Sequence, residues 1–463
     1  MHNNLKLSYT QPMLQKSEPL PKGPKGDFLL GNLRERQKTP LEFYTRIARD
    51  FGDYVQLKMG PMNVVFVNNP VGVKRVLVDE LATYPKGYVF EKLSDVLGKG
   101  LLTSEGAFWR RQRKLAQPAF HKISLEAAVN VMADLSEHAF SNLPLGKNID
   151  FASEMMALTL KIVAQTLLGS DITLESESVR KAISFTLVQG NARLLQFPPI
   201  PYWIPTRFNQ KLKRSVSEVD RVVYRIINEH KIQRNRKSDL LTLLMNAKDD
   251  DTGESMNERQ LRDEVFTFFL AGHETTANLM AWFFYEMSLN QEISKKVGKE
   301  IENEISSGAP NYESLLKLTY TRRVIDEVLR LHPPAWVIAR SSSKEDVMDG
   351  YKVPKGSLIA ICTYTLHRNP KFWPEPEKFD PDRFLPEISA IRPKYAYIPF
   401  GGGPRSCIGS QFSLLEALCL ITRFYQKYGK NSVIRLDQNR KVTADAQITL
   451  RPLNGMWAFV NPG

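Results

Sequence analysis

Phe400-Gly401-Gly402-Gly403-Pro404-Arg405-Ser406-Cys407-Ile408-Gly409 is the stretch whose reading decides the fold. Its glycines let the backbone take positive φ and come close to a flat partner. Cys407 stands just before an apolar helical pattern over about 409–427. At a helix start, free N–H groups and the helix dipole favour a thiolate over a thiol. A thiolate among backbone donors is what a heme iron takes as axial ligand. A lone cysteine in a turn is more often a structural side chain, so the remainder of the chain has to decide between the two readings.

The chain has 463 residues, 42% of them hydrophobic, 24% charged and 10% aromatic. That composition excludes a disordered tail, a collagen and a disulfide scaffold. The three cysteines, Cys362, Cys407 and Cys419, show no CxxC spacing, so a reducing, cytoplasmic setting is expected. Lys and Arg exceed Asp and Glu by 13, which favours an acidic partner without choosing its class. No run approaches the ~18 apolar residues of a membrane helix, and Met1 to Pro21 lacks an apolar signal core. No transmembrane anchor is expected.

Residues 1–33, rich in Pro and Gly, read as an extended lead-in, and 34–463 as one domain. Asp53–Lys58 and Asn63–Val67, around Gly60-Pro61, read as a hairpin. Helical spacing dominates from 70 to 333, with clear patterns over 125–142, 152–168, 212–234 and 258–288. Ser255 and Glu258 form the expected capping box of the last of these. Phe197–Pro205 is an apolar, proline-stiffened loop. Residues 351–362 and 441–460 read as strands, and 367–406 as a long meander. Loops of that length in compact domains are usually functional.

Three further motifs precede the cysteine. Glu327 and Arg330 lie three apart on one helix face, and Pro381-Asp382-Arg383-Phe384 follows them. Ala271-Gly272-His273-Glu274-Thr275-Thr276 interrupts the pattern over 258–288 with poor helix formers; threonine hydroxyls can bond back and bend a helix. Trp109-Arg110-Arg111-Gln112-Arg113-Lys114 places Trp109 and Arg113 four apart. No HExxH or paired-histidine spacing occurs, so zinc is not expected and His273 reads as structural.

Taken together, the chain resembles the cytochrome P-450 family. The Cys407 loop matches the signature Phe-x-x-Gly-x-Arg-x-Cys-x-Gly at every fixed position, and the likeness runs from Leu29-Leu30-Gly31-Asn32 to the C-terminal strands. The resemblance implies a mainly α, single-domain triangular fold with a small β portion. It implies heme b with Cys407 as the iron ligand. Phe400, Gly401, Gly403, Gly409, Ala271 and Gly272 would lie against the cofactor, and Arg405, Trp109, Arg113 and Arg340 at its propionates. Glu327, Arg330 and Arg383 would form a buried network holding the meander. Glu274 and Thr275 would be the acid and alcohol of oxygen activation, a pair that peroxide-using relatives usually lack.

The expected activity is a heme-thiolate monooxygenase inserting one atom of O2 into an organic substrate, with O-demethylation of a methoxylated substrate as an alternative by the same route. A non-catalytic heme sensor or carrier is the competing class. Electrons are expected from a separate ferredoxin or flavodoxin with an NAD(P)H-dependent reductase, docked at Arg110, Arg111 and Lys114; no nucleic-acid partner is expected. The variable regions are apolar at Phe90, Leu194, Phe197, Leu270, Trp336, Val337, Ile338 and Ile448, which favours a hydrophobic substrate. Arg193 is expected on the surface.

Overall fold

A 32-residue helix, Glu258–Leu289, runs through the middle of the molecule. Phe266, Phe269, Phe283 and Phe284, on different faces of it, are all buried. A helix apolar all round is stable only when protein surrounds it. Its start agrees with the sequence pattern, but its cap does not: Asn257 and Gln260 form the reciprocal capping box, in place of Ser255 and Glu258. Asn caps as well as Ser, so register within Ser255–Gln260 was open to either pair. The computed structural model describes residues 18–194, 196, 200–232, 239–248, 253–305 and 307–463.

Helices Phe151–Leu167 and Arg207–Ile232 pack against the long helix, with Lys122–Ser141 and Ser176–Leu194 packed on them in turn. Phe151–Leu167 comes closest. A Cβ added at Gly272 would stand 2.9 Å from Val163 Cγ2, so the glycine that weakens the long helix also permits this approach. Ser410–Tyr428 packs on the other side, and Thr319–Leu331 beside both. Among the described residues the architecture is mainly helical, as expected, around one large apolar cluster.

The β portion is a four-stranded sheet in the order Tyr54–Met59, Met62–Val67, Leu358–Ile361, Ile338–Ser341. The first two strands form the expected hairpin. Leu358–Ile361 pairs parallel to Met62–Val67 and antiparallel to Ile338–Ser341. Side chains alternate between faces. Val55, Leu57, Val64, Phe66 and Ala360 join Phe43, Tyr44 and Trp336 on one; Tyr54, Val65, Val67, Ile359 and Ile361 join Val73, Val76 and Leu77 on the other. At the C-terminus, Trp457–Asn461 pairs with Val433–Leu436 and Ile149–Asp150, and Ala444–Ala446 with Leu450–Pro452. The meander 367–406 holds only short helical turns. Lys22 and Pro19 in the lead-in accept backbone hydrogen bonds from Gln56 and Lys352.

Candidate active site

Cys407 ends a tight loop that the Cys407 N–H closes on the Phe400 carbonyl at 2.9 Å. Gly401 and Gly403 have φ of +73° and +67°, which side chains rarely adopt. At Gly403 a Cβ would also strike the Leu77 carbonyl; at Gly401 it would meet nothing within 4 Å. Space on that side of the loop is open. Cys407 itself is accessible, although burial dominates its electrostatics and pushes the thiol above its ordinary pKa. The Gly409 N–H and the Arg113 charge work the other way and are outweighed. This differs from the sequence reading. The helix terminus alone does not make this sulfur anionic; a directly bound cation would.

Helix Gly106–Ala116 supplies one wall. Arg113 donates to the Ser406 carbonyl at 2.7 Å, one residue before Cys407. The Arg405 guanidinium stacks 3.8 Å from the Trp109 ring centre, pairs with Glu105 at 2.6 Å and donates to the Ser104 carbonyl at 3.0 Å. Arg340 is buried and donates to its neighbour's carbonyl at 2.8 Å. Lys86, which the sequence reading passed over, is buried with its Nζ on the carbonyls of Leu101, Leu102 and Ser104.

Burial first, and the charges of Arg405 and Arg340 next, bring Lys86 down to about 7. Burial and Arg405 bring Arg340 down to about 10. Four basic groups thus share this region, and among the described residues Arg405 alone of them has a carboxylate partner, Glu105. Such an excess asks for further anions. The two propionates of a heme supply two, so the residues present fit that cofactor.

The long helix meets the cysteine loop on both sides of its irregular segment. Phe120 lies 6.1 Å from Phe268, ring to ring, and 3.6 Å from a Cβ built at Gly409. Eight residues beyond Phe268, Thr276 and Ser413 share a hydrogen bond at 3.0 Å. Between these ties Ala271 is exposed, on a helix whose neighbouring Leu270 and His273 are buried. Thr275 Oγ1 donates to the Ala271 carbonyl at 2.8 Å, the back-bond expected of it. Burial raises the pKa of Glu274, and Thr449 and Arg451 oppose the rise. His273 is buried against the Phe269 carbonyl, and burial lowers it to about 4; it is neutral, and among the described residues no acidic or cysteine cluster completes a metal site around it.

Glu327 and Arg330 make a two-pronged ion pair, and Arg383 Nε lies 3.5 Å from Glu327. The substrate-side residues are only partly convergent. Phe90, Leu194 and Ile448 adjoin the main core, with Ile448 Cδ1 3.7 Å from a Cβ built at Gly190. Val337 and Ile338 lie against the two faces of the sheet, and Leu270 is packed inside the core. Phe197 lies outside the described residues. Arg193 is a correction: it is buried, pairs with Asp95 at 3.0 Å, donates to the Ile200 carbonyl and sits over Tyr202. Only the fold shows that this arginine at the end of Ser176–Leu194 faces helix Tyr88–Leu97.

The family model described as Cytochrome P450 matches residues 21–459. The cyclooctatin synthase of Streptomyces melanosporofaciens is 34% identical, over 85% of this chain and 86% of its own. From the same organism, cyclooctat-9-en-7-ol 5-monooxygenase is 31% identical over 86% and 87%. The solved structure titled "Retinoic acid bound cyanobacterial CYP120A1" superposes with a TM-score of 0.86 at 25% identity, covering 97% of this chain and all of that one.

Proposed function

The chain belongs to the cytochrome P450 family, a heme enzyme family of oxygen-incorporating oxidoreductases, and on that premise we propose that it is a monooxygenase for a hydrophobic substrate, built on heme b with Cys407 as the iron ligand. The observation that supports this reading is the double tie of the long helix near the cysteine loop, from Phe268 through Phe120 to Gly409 and from Thr276 to Ser413, on either side of Ala271–Thr275. When bound, the heme supplies O2 binding at iron, and the thiolate's electron release favours O–O cleavage.

The protein's part is positioning and proton supply. Arg113, Arg340, Arg405 and Lys86 neutralise the propionates, and Trp109 backs Arg405. Gly401 keeps a side chain off the open face of the loop, Gly403 lets the loop pass the Leu77 carbonyl and Gly409 leaves room beside Phe120, while Phe400 fixes the loop. Ala271, exposed on the long helix, leaves room above it, whereas Gly272 turns to Val163 of Phe151–Leu167. Thr275 holds a water at its hydroxyl, and Glu274, whose carboxyl burial pushes above its ordinary pKa, is the stronger acid behind it. That acid–alcohol pair favours O2 and an electron donor over peroxide, and catalysis over a carrier role.

The substrate reading rests on Phe90, Leu194 and Ile448, and on relatives named for cyclooctat-9-en-7-ol and retinoic acid, both hydrocarbon frames with a single polar function. O-demethylation would need polar groups facing inward, and none of these three is polar. We read 34–463 as the catalytic domain. Electrons would come from a separate acidic ferredoxin or flavodoxin, steered to exposed Arg110 and Lys114. No helix among the described residues is long and apolar enough to cross a membrane, in keeping with a cytoplasmic enzyme.

The test is purification with heme, then turnover of cyclooctat-9-en-7-ol and retinoic acid under 18O2 with a surrogate ferredoxin, reductase and NADPH. One 18O atom in a hydroxylated product is expected. A reduced carbon-monoxide spectrum at the histidine-like short wavelength, or product labelled from water, would overturn the reading.

A further inference from the structure

Glu274 and Thr275 are neighbours in sequence with separate partners in space. Thr275 bonds back to Ala271. Glu274, 3% exposed, accepts a 2.5 Å hydrogen bond from Thr449 Oγ1. Thr449 is buried too, and accepts from Asn278 Nδ2 at 3.2 Å, one helical turn beyond Glu274.

Thr449 ends the three-residue turn between Ala444–Ala446 and Leu450–Pro452. Both ends of the turn are anchored. Trp336 Nε1 donates to the Gln447 carbonyl at 2.8 Å, Trp282 Nε1 to the Leu450 carbonyl at 3.2 Å, and the Leu450 N–H to the Pro334 carbonyl at 3.0 Å. The side chains of the turn face three different neighbours. Gln447 accepts from Asn191 Nδ2 of helix Ser176–Leu194 at 2.9 Å. Ile448 packs toward Gly190 of that helix, where a built Cβ would stand 3.7 Å from Ile448 Cδ1 and 4.0 Å from Leu93 Cδ2 of Tyr88–Leu97. Thr449 holds the acid. One short turn therefore touches the substrate-side helices and the carboxyl of the long helix at once.

We propose that Gln447-Ile448-Thr449 couples occupancy to proton supply: Thr449 is a positioning residue that parks the Glu274 carboxyl, and an apolar molecule displacing Ile448 and helix Ser176–Leu194 loosens that hold. The inference rests on the acid role given to Glu274 above. On release, the O–H bond of the Glu274 carboxyl breaks, its proton forms an O–H bond on the water at Thr275, and the carboxylate regains a proton from solvent past Asp445 and Arg451, which pair at 3.1 Å. Parking protects the empty site. Without it, electrons from the donor would be lost as hydrogen peroxide and water before a substrate arrives.

Thr449→Val removes the donor at nearly constant shape, Thr449→Ser keeps it, and Asn191→Ala opens the clasp without touching the acid. The infrared C=O stretch of the protonated carboxyl, assigned by its loss in Glu274→Gln, should rise in frequency in Thr449→Val and stay in place in Thr449→Ser. NADPH oxidation by the substrate-free holoenzyme should rise about tenfold in Thr449→Val, the factor of one hydrogen bond, and by a smaller factor in Asn191→Ala. An unmoved band in Thr449→Val overturns the hold. A moved band with unchanged substrate-free oxidation overturns the coupling. Glu274→Gln with wild-type turnover and a normal carbon-monoxide spectrum would instead overturn the role of Glu274, which is a separate failure.

Discussion

Arg330 grips Glu327 from one turn away, Nε to Oε2 and Nη2 to Oε1, both at 2.7 Å, with neither side chain reaching solvent. The rest of the guanidinium donates to the carbonyls of His367, Pro376 and Lys378, and Glu327 accepts the Asp380 N–H. The pair is a clamp on the meander that leads to Phe400. Glu327→Ala leaves a buried guanidinium unpaired, a cost of about 3–5 kcal/mol. Purified Glu327→Ala should contain little heme and show a lowered urea midpoint; a normal heme-to-protein ratio would refute the clamp.

Replacing the sulfur tests the ligand. Cys407→Ser should keep the helical circular dichroism and lose the long-wavelength Soret band of the reduced carbon-monoxide complex. Retention of that band would place the ligand elsewhere.

Glu274 and Thr275 should fail in different ways. Glu274→Gln removes the acid and should lower product formation about 100-fold, the low end for general-acid catalysis. Thr275→Ala should keep NADPH oxidation and divert it to hydrogen peroxide. Peroxide assays beside product quantification separate the two, and equal coupling in Thr275→Ala and wild type would remove the alcohol from the mechanism.

Arg110 and Lys114 are exposed and are the charges to reverse, with Arg111, whose Nη2 donates to the Glu254 carbonyl at 2.9 Å, left in place. The Arg110→Glu/Lys114→Glu variant should be reduced by an acidic ferredoxin about tenfold more slowly at low salt, and the difference should vanish as salt screens it. Stopped-flow reduction under carbon monoxide reads this directly; equal low-salt rates would move the docking site.

Acid should destabilise the fold through His367. Its ring is buried and neutral, accepts the Ile398 N–H on Nε2 at 2.9 Å, and burial brings it to about 3 from an ordinary 6.5. Between those values the unfolded chain binds a proton that the folded one refuses. Stability from this group is therefore complete above 6.5 and is lost as pH falls toward 3, by up to about 1.4 kcal/mol per pH unit. His367→Gln keeps an acceptor and should flatten the slope of unfolding free energy between pH 4 and 6; an unchanged slope would reject the assignment.

The long helix was legible from local pattern alone, whereas the cysteine loop and the Glu327 helix were legible because their motifs stand together in one chain. What escaped depends on contacts between distant segments. Nothing near Lys86 signals that three carbonyls enclose it, and Arg193 reads as surface until helix Tyr88–Leu97 covers it. The grip of Thr449 on Glu274 joins residues far apart in sequence, and a threonine in a strand-rich tail carries no mark of it. The capping shift to Asn257 came from two equally good cap residues close together.

The parallel pairing of Met62–Val67 with Leu358–Ile361 also bears on how the molecule comes into being. The hairpin of the N-terminal part must wait for a strand that the ribosome delivers about three hundred residues later, a contact whose chain-closure entropy slows folding. Until then the apolar edge of Met62–Val67 stands open, a template for mispairing between nascent chains. Yield in a heterologous host should therefore respond to chaperone supply and slow synthesis at low temperature more than to surface mutations.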